Sequence, residues 1–292
     1  MSPGAAVFLN EGAGSARTDH VRRAVELARR ALDADLHVVA TRDVEELTAW
    51  LTERIDGYET AVIAGGDGSL GVAYNVAAGR EGLVLGYLPA GFGNATRHLL
   101  RLPQRPEELV EVLVRRDARP IDLVSVDGRL ALFAGAGWDA TVAGRYADAG
   151  ARRLPGWASA VARSIPDLFR RPQVEVRADE WVVHRGPMEL LVIGTTPFYG
   201  RGLKVNPGAR PDAGTMALRI YPGPARRLAV EAARWALKIV PAAERIDAQR
   251  VELSVIDGGR IPVQADGDVI GARSSWSFEI RPAAVQLIGR WS

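Results

Sequence analysis

Through about residue 120, short apolar runs alternate with longer stretches in which apolar positions recur every three or four residues. "AAVFL" (5–9) predicts a buried strand ending at Asn10. A helix follows from near Asp19, with Val21, Ala24, Val25, Ala28 and Leu32 on one face. "LHVVA", "TAVIA" and "GLVLGYLP" predict three more strands. Between the first two, Val44, Leu47, Leu51 and Ile55 stripe a helix that Asp43 caps, with Glu46 as its box partner. A short helix is expected around Ala95 to Leu100 and another over Pro106 to Arg115. Uniformly apolar strands are those of a parallel sheet covered on both faces. The reading is an open α/β sheet with helices on both sides, whose ligand sits outside the carboxyl ends of the strands. "GAGS", "GGDGS" and "AGFGN" all fall at such ends.

Beyond about residue 120 the period shortens towards two. "IDLVSVDGRLALFAGAG" reads as two strands joined at Asp127-Gly128, a hairpin signal. "QVEVRADEWVVHRGPMELLVIGTT" reads as three strands, and "GTMALRIYP", "RVELSVI", "IPVQADGDVI" and "SWSFEIRP" continue the series. This half is expected to be mainly antiparallel, a sandwich or flattened barrel. Helical inserts are expected over roughly Ala151 to Arg171 and Ala225 to Val240. In the second, Leu228, Ala232, Trp235 and Ile239 form a stripe flanked by Arg227, Arg234 and Lys238. That pattern suits an interfacial amphipathic helix and equally a helix lying on its own sheet with an arginine rim. The chain therefore divides into residues 1–120 and 121–292. About ten terminal residues are expected to return to the first domain.

Composition changes this picture little. The 292 residues are 47% hydrophobic and 25% charged, with a formal net charge of +2, too small to indicate nucleic acid as partner. Lys204 and Lys238 are the only lysines. Arginine suits bidentate phosphate contacts, although a coding bias gives the same excess. With no cysteine, disulfides, thiolate metal sites and cysteine nucleophiles are excluded. The N-terminus lacks a signal-peptide pattern, and no run of about 20 apolar residues exists. A cytoplasmic location is expected.

Two glycine turns carry the candidate chemistry. Gly65, Gly66, Gly68 and Ser69 follow a strand and open a helix, where backbone N–H groups can converge on an anion. Asp67 is out of place as a phosphate ligand, since a carboxylate repels one; it suits a metal, a water or a proton from an attacking hydroxyl. An ordinary turn with a solvent-facing acid remains the plain alternative. Gly91 and Gly93 repeat the arrangement before a helix at Asn94. Neither turn matches GxxxxGK[ST] or GxGxxG. Asp266, in "ADGD", reads by itself as a hairpin turn.

In order, "LNEGAGSAR", "GGDGS", "PAGFGNATR", "GAGWDATV", "RGLKVNPGARPDAGTMAL" and "VQADGDVI" resemble the motifs of the diacylglycerol kinase catalytic-domain family, shared by bacterial lipid kinases and sphingosine kinases. The resemblance runs from residue 10 to 268. It implies a nucleotide-binding α/β domain of NAD kinase/diacylglycerol kinase type followed by a β-sandwich domain, with the active site in the cleft between them. It implies an ATP-dependent, Mg²⁺-assisted kinase of a lipid alcohol, diacylglycerol or sphingoid-like, in peripheral contact with a membrane surface and with a homodimer allowed. By position, Gly65, Gly66, Gly68, Ser69, Gly91, Phe92, Gly93 and Asn94 would hold nucleotide, joined by Asn10, Thr41 and Asp268. Asp67 would manage metal and γ-phosphate, and Asp266 would be the base. Asp139 and Arg201 would meet the acceptor, and Asp212 would retain part of a second metal site. Phe92 replaces a small hydroxyl residue and Ala213 the second acid of DDG. Those departures keep open a kinase of a soluble or amphiphilic metabolite, and a binding protein with weakened catalysis.

Overall fold

The structure is a computed structural model that describes residues 4–91, 93–148, 154–169, 171–223, 225–237 and 239–291. The chain forms two compact units. Residues 1–121, 200–202 and 283–292 make the first, and residues 122–199 and 203–282 the second.

In chain order the first unit runs β1 (Ala5–Asn10), α1 (Asp19–Ala31), β2 (Asp35–Val39), α2 (Val44–Ile55), β3 (Thr60–Gly65), α3 (Asp67–Ala77), β4 (Val84–Pro89), α4 (Ala95–Leu99) and α5 (Pro106–Arg115). Its strands pair in the order β2-β1-β3-β4, all parallel. β1 and β3 are buried along their whole length, as their unbroken apolar sequence requires. β2 departs from that expectation. It is the sheet edge, so Leu36 and Val38 project from one face into solvent. Helix starts obey local rules: Thr18 caps α1 through the Val21 amide, and Asp43 caps α2 through that of Glu46. Leu51, Ile55, Leu70, Leu85 and Leu113 are among the largest fully buried side chains.

The chain continues, mostly in the second unit, with β5 (Ala118–Val126), β6 (Arg129–Ala131), β7 (Phe133–Gly137), α6 (Trp138–Asp148), α7 (Leu154–Ser164), β8 (Gln173–Ala178), β9 (Trp181–Pro187), β10 (Leu190–Gly194), β11 (Phe198–Tyr199), β12 (Leu203–Lys204), β13 (Met216–Tyr221), α8 (Ala225–Ala236), β14 (Ile246–Ala248), β15 (Arg250–Val255), β16 (Ile261–Ala265), β17 (Asp268–Arg273) and β18 (Ser275–Ile288), the start of β5 and the end of β18 belonging to the first. A six-stranded sheet runs β14-β13-β10-β7-β16-β17, antiparallel throughout. Its Leu191, Ile193, Leu218 and Val263 meet Val176, Val251, Leu253 and Phe278 of the β18-β15-β8-β9 array in one core, a sandwich. Asp127-Gly128 and Asp266-Gly267 are two-residue hairpin turns with φ of 47° and 95°, and 49° and 92°. Both therefore take the doubly left-handed turn that suits the twist of flanking strands.

The sequence patterns missed α6, which starts directly at the end of β7. The first insert contains α7 and the 3-10 turn Ile165–Phe169, while Ala151 to Arg153 and Arg170 lie outside the described residues. On α8, Leu228 and Trp235 bury against Leu190, Val192 and Tyr221, so that part of the stripe belongs to the protein's own core.

The chain end returns as a strand of the first unit: Gln286 pairs with Val84 and Leu287 with Leu85, both parallel. Leu287 is fully buried. Leu287→Ala is expected to lower stability by about 2–5 kcal/mol, from lost burial plus the cavity left behind. Urea unfolding measures this, and a loss below about 1 kcal/mol would show that the returning strand is dispensable.

Candidate active site

In the first unit the two glycine turns are packed backbone to backbone. A Cβ built on Gly91 would lie 2.6 Å from the Cα of Gly66, and one on Gly66 would lie 3.2 Å from the Cα of Gly91. A Cβ on Gly65 would lie 2.6 Å from that of Ser69. Glycine at these positions is thus a matter of space. Gly66 also forms the N-cap of α3 without any side-chain cap, so the first amides of an eleven-residue helix have no side-chain acceptor. They can point at an anion, favoured further by the helix dipole.

Three polar side chains hold this geometry. The Asn94 amide accepts from Gly91 N–H at 2.9 Å and from the Tyr87 hydroxyl at 3.0 Å, and donates to the Gly91 carbonyl at 2.8 Å. Asn94 sits at φ 47°, a conformation asparagine tolerates better than most residues. Asp67, on the first turn of α3, takes the Ala95 and Thr96 amides at 2.8 and 3.1 Å. It therefore caps α4 and ties the first glycine turn to the second. Burial pushes its carboxyl above the usual range, while these amides and nearby His98 pull it back. Buried Asn10 accepts from Gly12 N–H at 2.9 Å and Thr41 N–H at 3.2 Å, and donates to Ser69 Oγ at 3.2 Å. One side chain thus joins the loops after β1 and β2 to the first turn of α3. The Thr41 hydroxyl donates to Glu46. Gly68 and Gly93 lie on the same two turns, and Phe92 lies outside the described residues.

The second unit holds another polar group. The Asp266 carboxylate accepts from Leu132 N–H at 3.1 and 3.2 Å and from Phe133 N–H at 3.1 Å. Asp139, on the first turn of α6, accepts from the Tyr199 hydroxyl and, at 3.1 Å, from Gln264 Nε2. The other Asp139 oxygen, Oδ1, is buried without a hydrogen-bond partner among the described residues. Gln264 also accepts from Gly267 N–H at 2.7 Å, so one side chain bridges Asp139 and the turn that carries Asp266. Gly135 makes room: a Cβ there would lie 2.0 Å from Asp139 Oδ2. Burial raises the Asp139 carboxyl, partly offset by Tyr199, Gln264 and the first amides of α6. Burial and the Asp139 charge push the Tyr199 phenol well up, so it stays a proton donor.

Motif reading named Asp139 and Asp266, which the structure links through Gln264, but not Tyr199, Gln264 or Gly135. Only the small residues of "GAG" on β7 hinted at a side chain needing space. Asp268 pairs with Arg129 at 3.0 Å. Exposed Asp212 is forked by Arg210 at 3.0 and 2.9 Å. Among the described residues no group of three or more acids or histidines could hold a metal ion. The Arg201 backbone lies on the turn Gly200–Gly202, where Gly202 packs closely on the His98 ring; the Arg201 side chain lies outside the description.

A carboxyl raised in the fold favours the protonated form, so its penalty on stability is absent below the ordinary carboxylate range and grows as pH rises through the folded-state value. Asn at 139 can keep both acceptor bonds without the charge. Thermal melts across pH should therefore show Asp139→Asn gaining on wild type as pH rises. A constant or shrinking difference would show that Asp139 is not a burdened buried acid.

Comparison with known proteins places this geometry. Residues 4–126 match the family model described as diacylglycerol kinase catalytic domain, and residues 133–289 match the YegS C-terminal NAD kinase beta sandwich-like domain. A Pseudomonas aeruginosa protein named "Probable lipid kinase YegS-like" is 31% identical over 72% of this chain and 70% of its own. A protein of the same name from Stenotrophomonas maltophilia is 28% identical over 71% of each chain. The crystal structure of a diacylglycerol kinase from Bacillus anthracis shares the fold at TM-score 0.73 and 16% identity, covering 99% of this chain and 97% of its own. An NAD kinase from Archaeoglobus fulgidus, solved in complex with ATP, aligns at TM-score 0.54 and 16% identity over 97% and 92% of the two chains. From the α/β first unit to the sandwich of the second, the chain belongs to the diacylglycerol kinase catalytic-domain family, in its YegS-like branch.

Proposed function

We propose that this kinase transfers the γ-phosphoryl group of ATP to the hydroxyl of a lipid alcohol. The observation that carries the reading is the pair of glycine turns locked against each other beside the open α3 amides. Such a concave run of N–H groups suits the phosphates of a nucleotide. Gly65, Gly66, Gly68, Ser69, Gly91 and Gly93 would border those phosphates. Asn10, Thr41 and Asn94 would shape the loops behind them.

Phosphoryl transfer asks a protein mainly for positioning and charge neutralisation. Mg²⁺ would supply part of that neutralisation when bound. It usually keeps several waters and takes only one or two carboxylates beside the phosphates. Asp67 fits that modest demand, since a carboxylate offers about four acceptor sites and the two amides and the Thr96 hydroxyl do not use them all.

On the acceptor side, Asp139 Oδ1, buried without a hydrogen-bond partner among the described residues, suits an incoming hydroxyl donor, because a buried acceptor left unpaired is costly. Asp266 would accept the proton as the hydroxyl oxygen attacks phosphorus. Its fixed orientation on the Leu132 and Phe133 amides suits that task, since a base must be held within hydrogen-bond reach of its proton.

Incubation with labelled ATP, Mg²⁺ and lipid alcohols in mixed micelles should yield a phospholipid and ADP. Asp266→Asn keeps an acceptor for the same amides and tolerates the left-handed turn, so it should melt like wild type. Its kcat should fall by roughly 10²–10⁴-fold. Full turnover in a folded Asp266→Asn protein would remove the base assignment. Gly91→Ala should weaken ATP binding measured by calorimetry, because its methyl group pushes the two turns apart. Unchanged affinity would detach the turns from the nucleotide.

A further inference from the structure

We propose that the outward face of α8 docks onto an anionic bilayer, an inference that rests on the lipid-alcohol reading above. At about 100° per residue, Leu228, Glu231 and Trp235 fall on one side of this helix, and all three are buried. The opposite side presents Arg226, Val230 and Ala233, and Leu237 continues it just past the helix end, its N–H still donating to the Ala233 carbonyl at 3.0 Å. Val230 is 59% exposed and Leu237 70%. Ile239 and Val240 follow, also exposed, at 46% and 63%. They are held in place: Ile239 N–H donates to the Arg234 carbonyl at 2.8 Å, and the Arg234 guanidinium donates to the Val240 carbonyl at 2.9 and 2.7 Å. The patch is thus a fixed apolar surface adjoining the end of the helix.

Charge selects the occupant. The only acid between residues 225 and 240 is Glu231. It turns inward, accepting Ala242 N–H through both oxygens at 3.1 Å. Arg226 and Arg227 are exposed and make no ion pair among the described residues. An apolar centre with a basic, acid-free rim complements acyl chains beneath anionic headgroups. A second copy across a two-fold axis would set these arginines against their own kind. Location adds to the case. The inner face of α8 shares its apolar cluster with Trp138 and Tyr199, and Tyr199 donates to Asp139. The docking helix therefore overlies the cluster assigned to the acceptor.

Co-sedimentation of the full chain tests this, using vesicles of phosphatidylcholine alone or mixed with phosphatidylglycerol. Binding should need the anionic lipid and weaken with salt. Val230→Asp/Leu237→Asp and Arg226→Glu/Arg227→Glu should each weaken it on the order of tenfold. Melting near the wild-type temperature is expected, since all four side chains face solvent. Retained binding by both folded variants, or equal binding to neutral vesicles, would overturn the proposal. Self-association abolished by the first variant would assign the face to a second copy and also overturn it. A parallel assay follows phosphate transfer to a short-chain, freely soluble lipid alcohol, on which the variants should match wild type. Transfer there with variant-insensitive vesicle binding refutes docking and leaves the kinase reading standing. Docking as expected, with no transfer to any lipid alcohol, refutes the kinase reading and upholds the docking face.

Discussion

The carboxylate of Asp67, accepting two amides at the start of α4, is the constraint on which the first unit's site depends. Glycine turns have no side chains with which to hold themselves, and their conformational freedom costs more entropy on folding than that of any other residue. Their shape must be imposed from outside. Asp67 does this across the two turns, Asn94 within the second, and Asn10 at the carboxyl ends of three strands. The rigid parallel sheet sets where the turns begin, and these three side chains set how they end. The α3 amides remain open because the acid beside them is occupied elsewhere. An acid in a phosphate-type loop thus loses much of its contradiction: its charge is spent on the amides of the neighbouring helix.

A comparable device governs the second unit. Asp266 is fixed by backbone amides of the strand beside it, as Asp67 is fixed by those of a helix. Backbone donors do not rotate away, so a carboxylate held by them keeps its direction as well as its place. Asp139 is held differently, by two side chains, one of which also grips the turn carrying Asp266. Movement at either acid is therefore felt at the other through Gln264. The packing of Gly135 against this group explains why so small a residue stands in an otherwise well-filled sheet.

Much of this was legible in the sequence, for physical reasons. Uniformly apolar runs such as "TAVIAG" mark covered parallel strands, and glycines at their ends mark close backbone approach. Asp127-Gly128 and Asp266-Gly267 mark hairpins because few other pairs adopt two successive left-handed conformations. What escaped was long-range or locally unmarked. α6 begins without a capping signal, since "AGAGWDA" passes straight from strand to helix. Tyr199 and Gln264 meet Asp139 across 60 and 125 residues, and a hydrogen bond at that separation leaves no local pattern. The exposed face of β2 follows from its place at the sheet edge, which pairing order decides. On α8 the sequence offered a single apolar stripe where the fold uses two, one buried with Trp235 and the other bared at Leu237.

The three acids of the second unit's polar face then separate by their partners. Asp268 meets a guanidinium, which neutralises it. Asp266 meets amides, which aim it. Asp139 meets a phenol, a carboxamide and the first amides of α6, all neutral donors, and its Oδ1 has no hydrogen-bond partner among the described residues. Burial disfavours the charged form of such a carboxyl, and these donors offset that in part. Gly135 clears space for this acid, and Tyr199 and Gln264 brace it. Under the proposed reading a hydroxyl presented by a bound alcohol would supply a donor for Oδ1, and Gln264 links Asp139 to the turn that carries Asp266.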